Sequence, residues 1–318
     1  MRLEYTAVAK LLSNFISKLE TDVIYVEILP TQKTARWSYF NPAPNNFPRR
    51  CINPDCPTLL HEKTDQCWSL RDCIKPYADE YWIDGDHDAF EARIFALILG
   101  WQEALDAFEE GYDPHTPTAC GLFDLPLPQD KINPHVSSVD ESWRHLVEWQ
   151  GKDDKRRTLA KNFTYGSQYV YVEEYGHEKL RFNPNYILSV SGVEEVATSL
   201  FGKTTDVKSH LVRLAKRYIE LNHKTQLKKA RMMASIKKQR KAYTLYKARR
   251  IFFESTEETA KEGFNHRVQG TGADYMNESI LSVKKHYPQC SLVQNSHDGL
   301  KIAFPNDVPK EEALDAGS

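Results

Sequence analysis

The sequence predicts an α+β fold, because segments with apolar residues at helical spacing are interspersed with a few short strand-like runs. The clearest strand-like runs are 80–86 and 291–296, and a third run at 300–304 follows the second closely enough to form a hairpin. With 318 residues, of which 41% are hydrophobic and 27% charged, the chain is long enough to bury a sizeable core.

The other elements are predicted in chain order from the same spacing and from turn residues. Two stretches rich in Pro, at 30–80 and 124–142, are predicted to be irregular. A hairpin-like stretch is predicted at 241–253. Helices are predicted at 3–19, 90–99, 152–172, 193–201, 206–240 and 256–287, the last interrupted near 270–272.

Charge is strongly segregated along the chain. Residues 203–250, here called the basic tract, contain 16 Lys and Arg against 2 Asp and Glu, whereas residues 76–150 contain 3 against 16. A cationic tract of this density fits a phosphate backbone. The alternative is a solvated helix face, although such faces usually carry interspersed acidic residues.

Composition excludes several classes of protein. No apolar run approaches the ~18 residues of a membrane span, and the N-terminus lacks the apolar core of a signal peptide. Six cysteines in this length do not make a secreted disulfide scaffold, which indicates a reducing compartment. Zinc ligation by the cysteine-rich stretch is less well supported than free thiols in a loop, because its spacing lacks a tight C-x2-C turn; the stretch contains Cys51, Cys56, His61, Cys67 and Cys73.

Two aspartates follow strand-like apolar runs, Asp86 after 81–83 and Asp298 after 291–293. On adjacent strands their carboxylates would repel each other unless they held divalent cations, and carboxylate oxygens select hard metals such as Mg²⁺. A pair of metal ions ~3.5–4 Å apart suits in-line displacement at phosphorus. The alternative is ordinary turn chemistry, since Asp is common at strand ends.

Four residues recur every four positions within the predicted helix at 152–172. On a helix they form one stripe of two cations followed by two aromatic rings: Arg157, Lys161, Tyr165 and Tyr169. A buried stripe would be apolar throughout, so this one suits a triphosphate gripped by the cations, with sugar and base against the rings.

Three weaker signals accompany this helix. Pro residues at 42, 44 and 48 predict a stiff loop that ends in Arg50, which could lie along a duplex. Asn265 and Gln269, one helical turn apart, carry amides able to read base edges in a minor groove. Glu91 could exclude a 2′-hydroxyl; each signal alone also fits ordinary surface residues.

Taken in order, these motifs resemble those of DNA polymerase family A, the DNA polymerase I family, over nearly the whole chain. The motifs are Pro-Ala-Pro-Asn-Asn-Phe-Pro-Arg-Arg at 42–50, Asp86-x4-Glu91-x-Arg93, the run 113–119, Arg157-x3-Lys161-x3-Tyr165-Gly166, the run 269–274 and His297-Asp298. Residues 3–19 also resemble the helix that follows the thumb in that family.

The resemblance implies a polymerase palm, an antiparallel sheet with helices, together with a mostly α-helical fingers subdomain. It places the N-terminal helix and first part of the palm at 1–113, the fingers at 114–255 and the second part of the palm at 256–318. Residues 51–73 are an insertion. A thumb and an exonuclease are expected to be absent, and the last palm strand to be missing.

The resemblance also implies site roles. Asp86 and Asp298, with the main-chain carbonyl of His87, would hold two Mg²⁺ ions, which Mn²⁺ could replace; zinc is not expected. Nucleotide-binding roles fall to Glu91 as steric gate, Arg157, Lys161 (also catalytic), Tyr165, Tyr169 and His115. Primer-template DNA would be contacted by Arg36, Arg50, Arg249, Arg250, Asn265, Gln269 and His297.

The chain departs from the family pattern at several positions. Gly299 stands where Glu usually follows His-Asp, Lys261 where Arg is usual, and Val170 where Gly is usual. The expected function is DNA-directed DNA synthesis from dNTPs, in the cytoplasm of a bacterial or phage-infected cell and without a membrane partner. Thumb or exonuclease regions, or accessory proteins, would come from outside this chain. The alternatives are a nucleic-acid-binding relic without activity and a related RNA polymerase or reverse transcriptase.

Overall fold

The computed structural model describes residues 26–29, 36–40, 74–109, 115–123, 154–189, 192–202, 206–296 and 298–315. The strands in these ranges are β1 (Glu27–Leu29), β2 (Ser38–Phe40), β3 (Glu80–Asp86), β4 (Val172–Tyr175), β5 (Lys179–Phe182), β6 (Lys241–Tyr243), β7 (Arg249–Ile251), β8 (Ser291–Asn295) and β9 (Gly299–Pro305).

Helices alternate with these strands along the chain. They are α1 (Phe90–Leu99), α2 (Gln102–Glu109), α3 (His115–Phe123), α4 (Lys155–Tyr169), α5 (Pro184–Leu188), α6 (Val193–Phe201), α7 (Val207–Leu221), α8 (His223–Gln239), α9 (Glu257–Asn265), a π-helical turn (His266–Gly270), α10 (Thr271–His286) and α11 (Lys310–Asp315). The α+β prediction is confirmed. None of the helices in the described ranges is long and apolar enough to cross a lipid bilayer.

The described residues form two compact units. The first combines residues from 1–88 and 272–318, and the second comprises residues from 89–271. The predicted subdomain boundaries at 113/114 and 255/256 stay a prediction.

The first unit is built on an antiparallel sheet of order β3-β9-β8. One face of the sheet buries a cluster that includes Ile302 and Phe304, with Cys290 and Ala313 beside them. Strand β2, paired with β1, contributes the buried Tyr39, whose hydroxyl oxygen accepts the main-chain N–H of Asn295 at 2.7 Å. The strands predicted near 80–86, 291–296 and 300–304 are confirmed.

The second unit is mainly helical. A cluster around Leu159, Phe163 and Tyr218 joins α3, α4, α6 and α7, and burial raises the pKa of the Tyr218 hydroxyl. A second cluster around Phe95 and Phe264 joins α1, α8 and α9. The first cluster packs α4, the helix with the predicted stripe, against α3, α6 and α7.

Local chemistry explains where two of the key helices begin and end. Helix α1 stops at Gly100, whose φ of +56° suits glycine, and the main-chain N–H groups of Gly100 and Trp101 close the end on Leu97 and Ala96 in a Schellman motif. Helix α4 begins after Asp154, whose carboxylate accepts the N–H of Arg156 at 2.9 Å.

The structure differs from the predicted elements in several places. The single helix predicted at 206–240 is two helices, because Asn222 donates its side-chain amide to the Tyr218 carbonyl at 2.9 Å and lies outside helical geometry. The helix predicted at 152–172 ends at Tyr169 and is followed by the hairpin of β4 and β5. The hairpin at 241–253 is confirmed as β6 and β7.

Other predictions fall partly or wholly elsewhere. The interruption expected near 270–272 is the π-helical turn at 266–270, just upstream. The irregular stretch 30–80 contains strand β2, and helices α2, α3, α5 and α11 were not predicted. The predicted helix 3–19, the irregular stretch 124–142 and the insertion 51–73 lie outside the described residues.

Candidate active site

The register between β3 and β9 brings the two predicted aspartates next to each other. Asp86 lies directly opposite Gly299, and Asp298 immediately precedes Gly299. The main-chain N–H of His87 donates to the carbonyl of Asp298 at 2.8 Å, which ties the two segments together just beyond the ladder. Both aspartates are exposed. Two carboxylates therefore stand at adjacent strand ends of one sheet.

Gly299 occupies a position where a side chain does not fit. A Cβ built there would lie 2.7 Å from the carbonyl oxygen of Gly85 and 3.0 Å from both Asp86 Oδ1 and Ser296 Oγ. Ser296 closes the turn, since its N–H donates to the Gly299 carbonyl at 2.8 Å. Glycine therefore stands in place of the usual Glu at a point where three oxygen atoms approach the backbone closely.

The donor set of this sheet end is compatible with Mg²⁺. Within the described ranges no group of three or more His, Cys, Asp or Glu side chains could hold a metal ion. Mg²⁺ usually keeps several waters and is bound by one or two carboxylates together with substrate phosphates. Two adjacent aspartates, one of which has a carboxylate oxygen close to the Gly299 backbone, fit that mode of binding better than a closed all-protein cage.

The predicted stripe lies along α4 in the second unit. Lys161 and Tyr169 are exposed, Tyr165 is half-buried and Arg157 is buried. The Lys161 Nζ lies 5.8 Å from the centre of the Tyr165 ring, and the ring of His115 lies 6.1 Å from the same ring. The structure therefore brings His115 together with the middle of the stripe, although His115 itself is buried.

The last residue of α4 is part of a hydrogen-bonded triad with Glu91 and Gln269. The Tyr169 hydroxyl donates to Glu91 Oε1. The Gln269 amide donates to the Tyr169 hydroxyl oxygen at 3.0 Å and to Glu91 Oε1 at 3.3 Å. Three residues from three separate predicted motifs therefore share one polar cluster.

Gln269 belongs to the π-helical turn, a conformation that is rare and frequent at functional sites. Asn265, just before the turn, has a shielded amide oxygen that accepts no hydrogen bond within the described residues. Burial lowers the pKa of the Arg267 guanidinium. Of these two amides, Gln269 belongs to the triad. The role of both amides in reading base edges stays a prediction.

The residues predicted to contact DNA have mixed environments. Arg249 is exposed on β7, whereas Arg250 is half-buried, forms an ion pair with Glu262 and lies over the Phe252 ring at 4.8 Å. Arg36 is half-buried in the first unit. Arg50 and His297 lie outside the described residues.

The basic tract is only partly a solvated surface. Arg231 makes a bidentate pair with Glu174 at 2.9 and 3.0 Å, and Lys237 lies 5.7 Å from the Tyr171 ring centre. Lys229 is fully buried. Several of the cations expected to meet phosphate therefore contact the chain itself.

Tyr39 is a contributor that the sequence did not single out. Its hydroxyl oxygen accepts the Asn295 N–H three residues before Asp298, and burial raises the pKa of this hydroxyl. Tyr39 lies 256 positions from Asn295, so no local pattern could have linked the two residues.

The chain is similar to known polymerases at the level of sequence. The family profile described as DNA polymerase family A matches residues 1–313. DNA polymerase I of Streptococcus pneumoniae serotype 4 (strain ATCC BAA-334 / TIGR4) is 23% identical over 333 aligned residues, covering 98% of this chain and 31% of that protein. DNA polymerase I of Lactococcus lactis subsp. lactis (strain IL1403) is 26% identical over 136 residues, covering 40% of this chain and 14% of that protein.

The fold is also similar to a solved structure. The POL domain of Pol1 from M. smegmatis, in complex with DNA primer-template and dNTP, matches with a TM-score of 0.65 and 17% identity. The match covers 98% of this chain and 47% of that one. The chain thus spans about a third or less of the length of the curated relatives and about half of the structural match.

Proposed function

Because this chain belongs to DNA polymerase family A, we propose that it catalyses template-directed DNA synthesis, adding dNTPs to a primer 3′-hydroxyl. The observation that carries the proposal is the register of β3 and β9, which puts Asp86 beside Asp298 at one end of a sheet. One or two carboxylates, completed by substrate phosphates and water, are the usual protein ligands of Mg²⁺.

In the proposed reaction Asp86 and Asp298, with the carbonyl of His87, would hold two Mg²⁺ ions. When bound, such ions activate the attacking hydroxyl and neutralise charge on the departing pyrophosphate. The chain's own residues provide binding and orientation. The exposed ammonium of Lys161 suits the triphosphate. Arg157, which is buried on the same helix face, would add positive charge to neutralise the leaving group.

The triad of Glu91, Tyr169 and Gln269 is proposed to read the sugar and the terminal base pair. The Tyr169 hydroxyl and the Gln269 amide both contact Glu91, which restricts the carboxylate to one position. A carboxylate held there would crowd a ribose 2′-hydroxyl while accepting deoxyribose. Tyr165, in the middle of α4, and His115, at the start of α3, would lie against the nucleotide.

Primer-template DNA is the proposed partner, bound by cations and amides. The exposed Arg249 and the Arg36 side chain suit phosphate. The proposed set is completed by Arg250, Arg50, Asn265, Gln269 and His297. Thumb or exonuclease regions, or an accessory protein, would strengthen the grip from outside this chain.

The proposal is tested by primer extension with dNTPs and Mg²⁺. Asp86→Asn and Asp298→Asn should each lower the extension rate by about a thousandfold, since each removes a metal-binding carboxylate. Asp84→Asn is the matched control: Asp84 is exposed on the same strand and pairs with Lys301 at 3.3 Å instead. It should retain nearly full activity.

Two outcomes would contradict the proposal. If Asp86→Asn or Asp298→Asn extends the primer at an undiminished rate, the substituted aspartate does not bind the catalytic Mg²⁺. Binding of primer-template without any extension by the natural sequence would favour a nucleic-acid-binding relic. Parallel reactions with rNTPs and with an RNA template would distinguish a related RNA polymerase or reverse transcriptase.

A further inference from the structure

The basic tract contains one lysine that lies wholly inside the protein. Lys229, on α8, has no exposed surface, whereas its neighbour Lys228 is exposed and donates to the Gly100 carbonyl at 3.2 Å. Burying an amine in a protein interior is costly unless it finds hydrogen-bond acceptors. The position of those acceptors therefore indicates what this lysine does.

Both acceptors lie at the end of α4. The Lys229 Nζ donates to the main-chain carbonyl of Ser167 and, at 2.7 Å, to that of Val170. The carbonyls in the last turn of a helix have no following helical N–H groups to bind, and they form the negative end of the helix dipole. The same Nζ lies 5.4 Å from the ring centre of Phe264, an apolar wall on the other side.

Tyr169 lies between the two carbonyls that Lys229 binds. Its main chain is therefore held by contacts on α8, while its hydroxyl is held by Glu91 and Gln269. An aromatic side chain anchored at both ends has little freedom to turn about its own Cα. The direction of the ring is thus set by two independent groups of contacts.

We propose that Lys229 is a positioning residue, which fixes the last turn of α4 and thereby the Tyr169 ring in the nucleotide site. The inference rests on the proposed function, because it assigns Lys229 a part in nucleotide binding. Lys229 does not reach the substrate; it acts through the main chain of α4.

Other cations of α8 support the same segment. Arg231 holds Glu174 on β4, and Lys237 lies against the Tyr171 ring. Three cations of α8 therefore contact residues 167–174, and of these three Lys229 reaches the end of α4 itself. Burial lowers the pKa of Lys229 well below its usual value, and a neutral amine still has two N–H donors for the two carbonyls.

The test compares Lys229→Met, which conserves the length and volume of the side chain but removes the donors, with two controls. Lys228→Met removes a neighbouring charge, and Met233→Ala opens a fully buried site one turn further along α8. Urea unfolding is measured for each variant, so that the effect of general destabilisation is known.

Two readouts are used. Hydrogen–deuterium exchange of the peptide covering residues 164–172, without substrate, should be about tenfold faster in Lys229→Met. In primer extension the KM for dNTP should rise about tenfold, with kcat within about twofold, because the ring that receives the nucleotide is less well placed. Neither control should show both changes.

Each outcome is decisive. Unchanged exchange or unchanged KM in Lys229→Met overturns the inference, and so does an equal change in Met233→Ala. If the protein with its natural sequence does not extend a primer, the proposed function is overturned. The part of Lys229 in nucleotide binding is then overturned as well, whatever the result of hydrogen–deuterium exchange. If Lys229→Met does not fold, Lys229→Gln replaces it, with the same expected changes, because its shorter amide cannot reach both carbonyls.

Discussion

The Tyr169 hydroxyl donates a hydrogen bond to the Glu91 carboxylate, which connects the end of α4 to the first turn of α1 across 78 positions of sequence. Gln269 donates to both partners, so neither residue can move without disturbing the other. In the proposed reaction these hydrogen bonds couple Tyr169, which lies against the nucleotide, to Glu91, which excludes the ribose 2′-hydroxyl. Nucleotide affinity and sugar selection are therefore expected to change together.

This coupling predicts non-additive effects of substitution. Tyr169→Phe removes the donor to Glu91 and should raise the KM for dNTP by about three- to tenfold, since the contact is partly exposed. Gln269→Leu should have a similar effect. The double variant should be less impaired than the sum of the two, with a coupling energy of about 0.5–3 kcal/mol.

Steady-state extension by all four proteins of this cycle measures the coupling. The ratio of rNTP to dNTP incorporation should rise in each single variant. Strict additivity would show that the three side chains do not act as a unit.

The close packing at Gly299 predicts that activity falls when Glu, the usual residue of the family, is placed there. Gly299→Glu should lower rather than raise activity, because its Cβ would come within 2.7 Å of the Gly85 carbonyl oxygen. Gly299→Ala should already cost about 1–3 kcal/mol of stability, as overpacked sites do. Urea unfolding and primer extension measure the two effects; a fully active Gly299→Ala would contradict the tight packing.

The ion pair between Arg250 and Glu262 predicts a gain in DNA binding on removal of the acid. Glu262→Gln should release the guanidinium towards phosphate, so that the salt dependence of primer-template affinity steepens by about one unit. Arg249→Gln is the counterpart, because Arg249 is exposed and its loss should make the dependence shallower by about one unit. Fluorescence anisotropy with a labelled duplex at several salt concentrations distinguishes these slopes.

The depressed pKa of Lys229 predicts a pH dependence of stability with a definite sign. Between the lowered pKa of the folded state and the ordinary value of 10.5, the unfolded chain binds a proton that the folded chain does not. The free energy of unfolding should therefore rise with pH, by about 1.4 kcal/mol per unit for one proton. Lys229→Met should lack this contribution, whereas Lys228→Met should keep it.

Urea unfolding of the three proteins at several pH values in the alkaline range checks the sign. The measured quantity is the difference between each variant and the natural sequence, so that other titrating groups cancel. Equal slopes in all three would show that Lys229 is protonated in the folded state throughout.

Much of the fold could be predicted from apolar spacing and turn residues. Helix α1 and strand β3 lie where the pattern places them, because their apolar positions and the closing Gly100 are local signals. The division between α7 and α8 could not be predicted, since Asn222 ends the helix through a side-chain bond that competes with the main chain. Strand β4 could not be predicted, because its two adjacent glutamates interrupt the alternation of apolar residues.

The candidate site was predictable as separate motifs but not as an arrangement. Glu91, Tyr169 and Gln269 each belong to a recognisable motif, yet their shared hydrogen bonds depend on folding that brings distant segments together. In the sequence Lys229 is one of 16 Lys and Arg residues of the basic tract. Its burial depends on the carbonyls of α4, which periodicity and charge do not reveal.

The close packing at Gly299 also constrains how this chain can change over generations. A single codon change from Gly to Glu would add a side chain where oxygen atoms of Gly85, Asp86 and Ser296 already converge. A lineage that acquired this glycine would need an earlier, compensating shift of the strand before it could regain the acid. The change to glycine is therefore hard to reverse by one substitution. Directed evolution is expected to recover Glu at this position only in libraries that vary neighbouring positions at the same time.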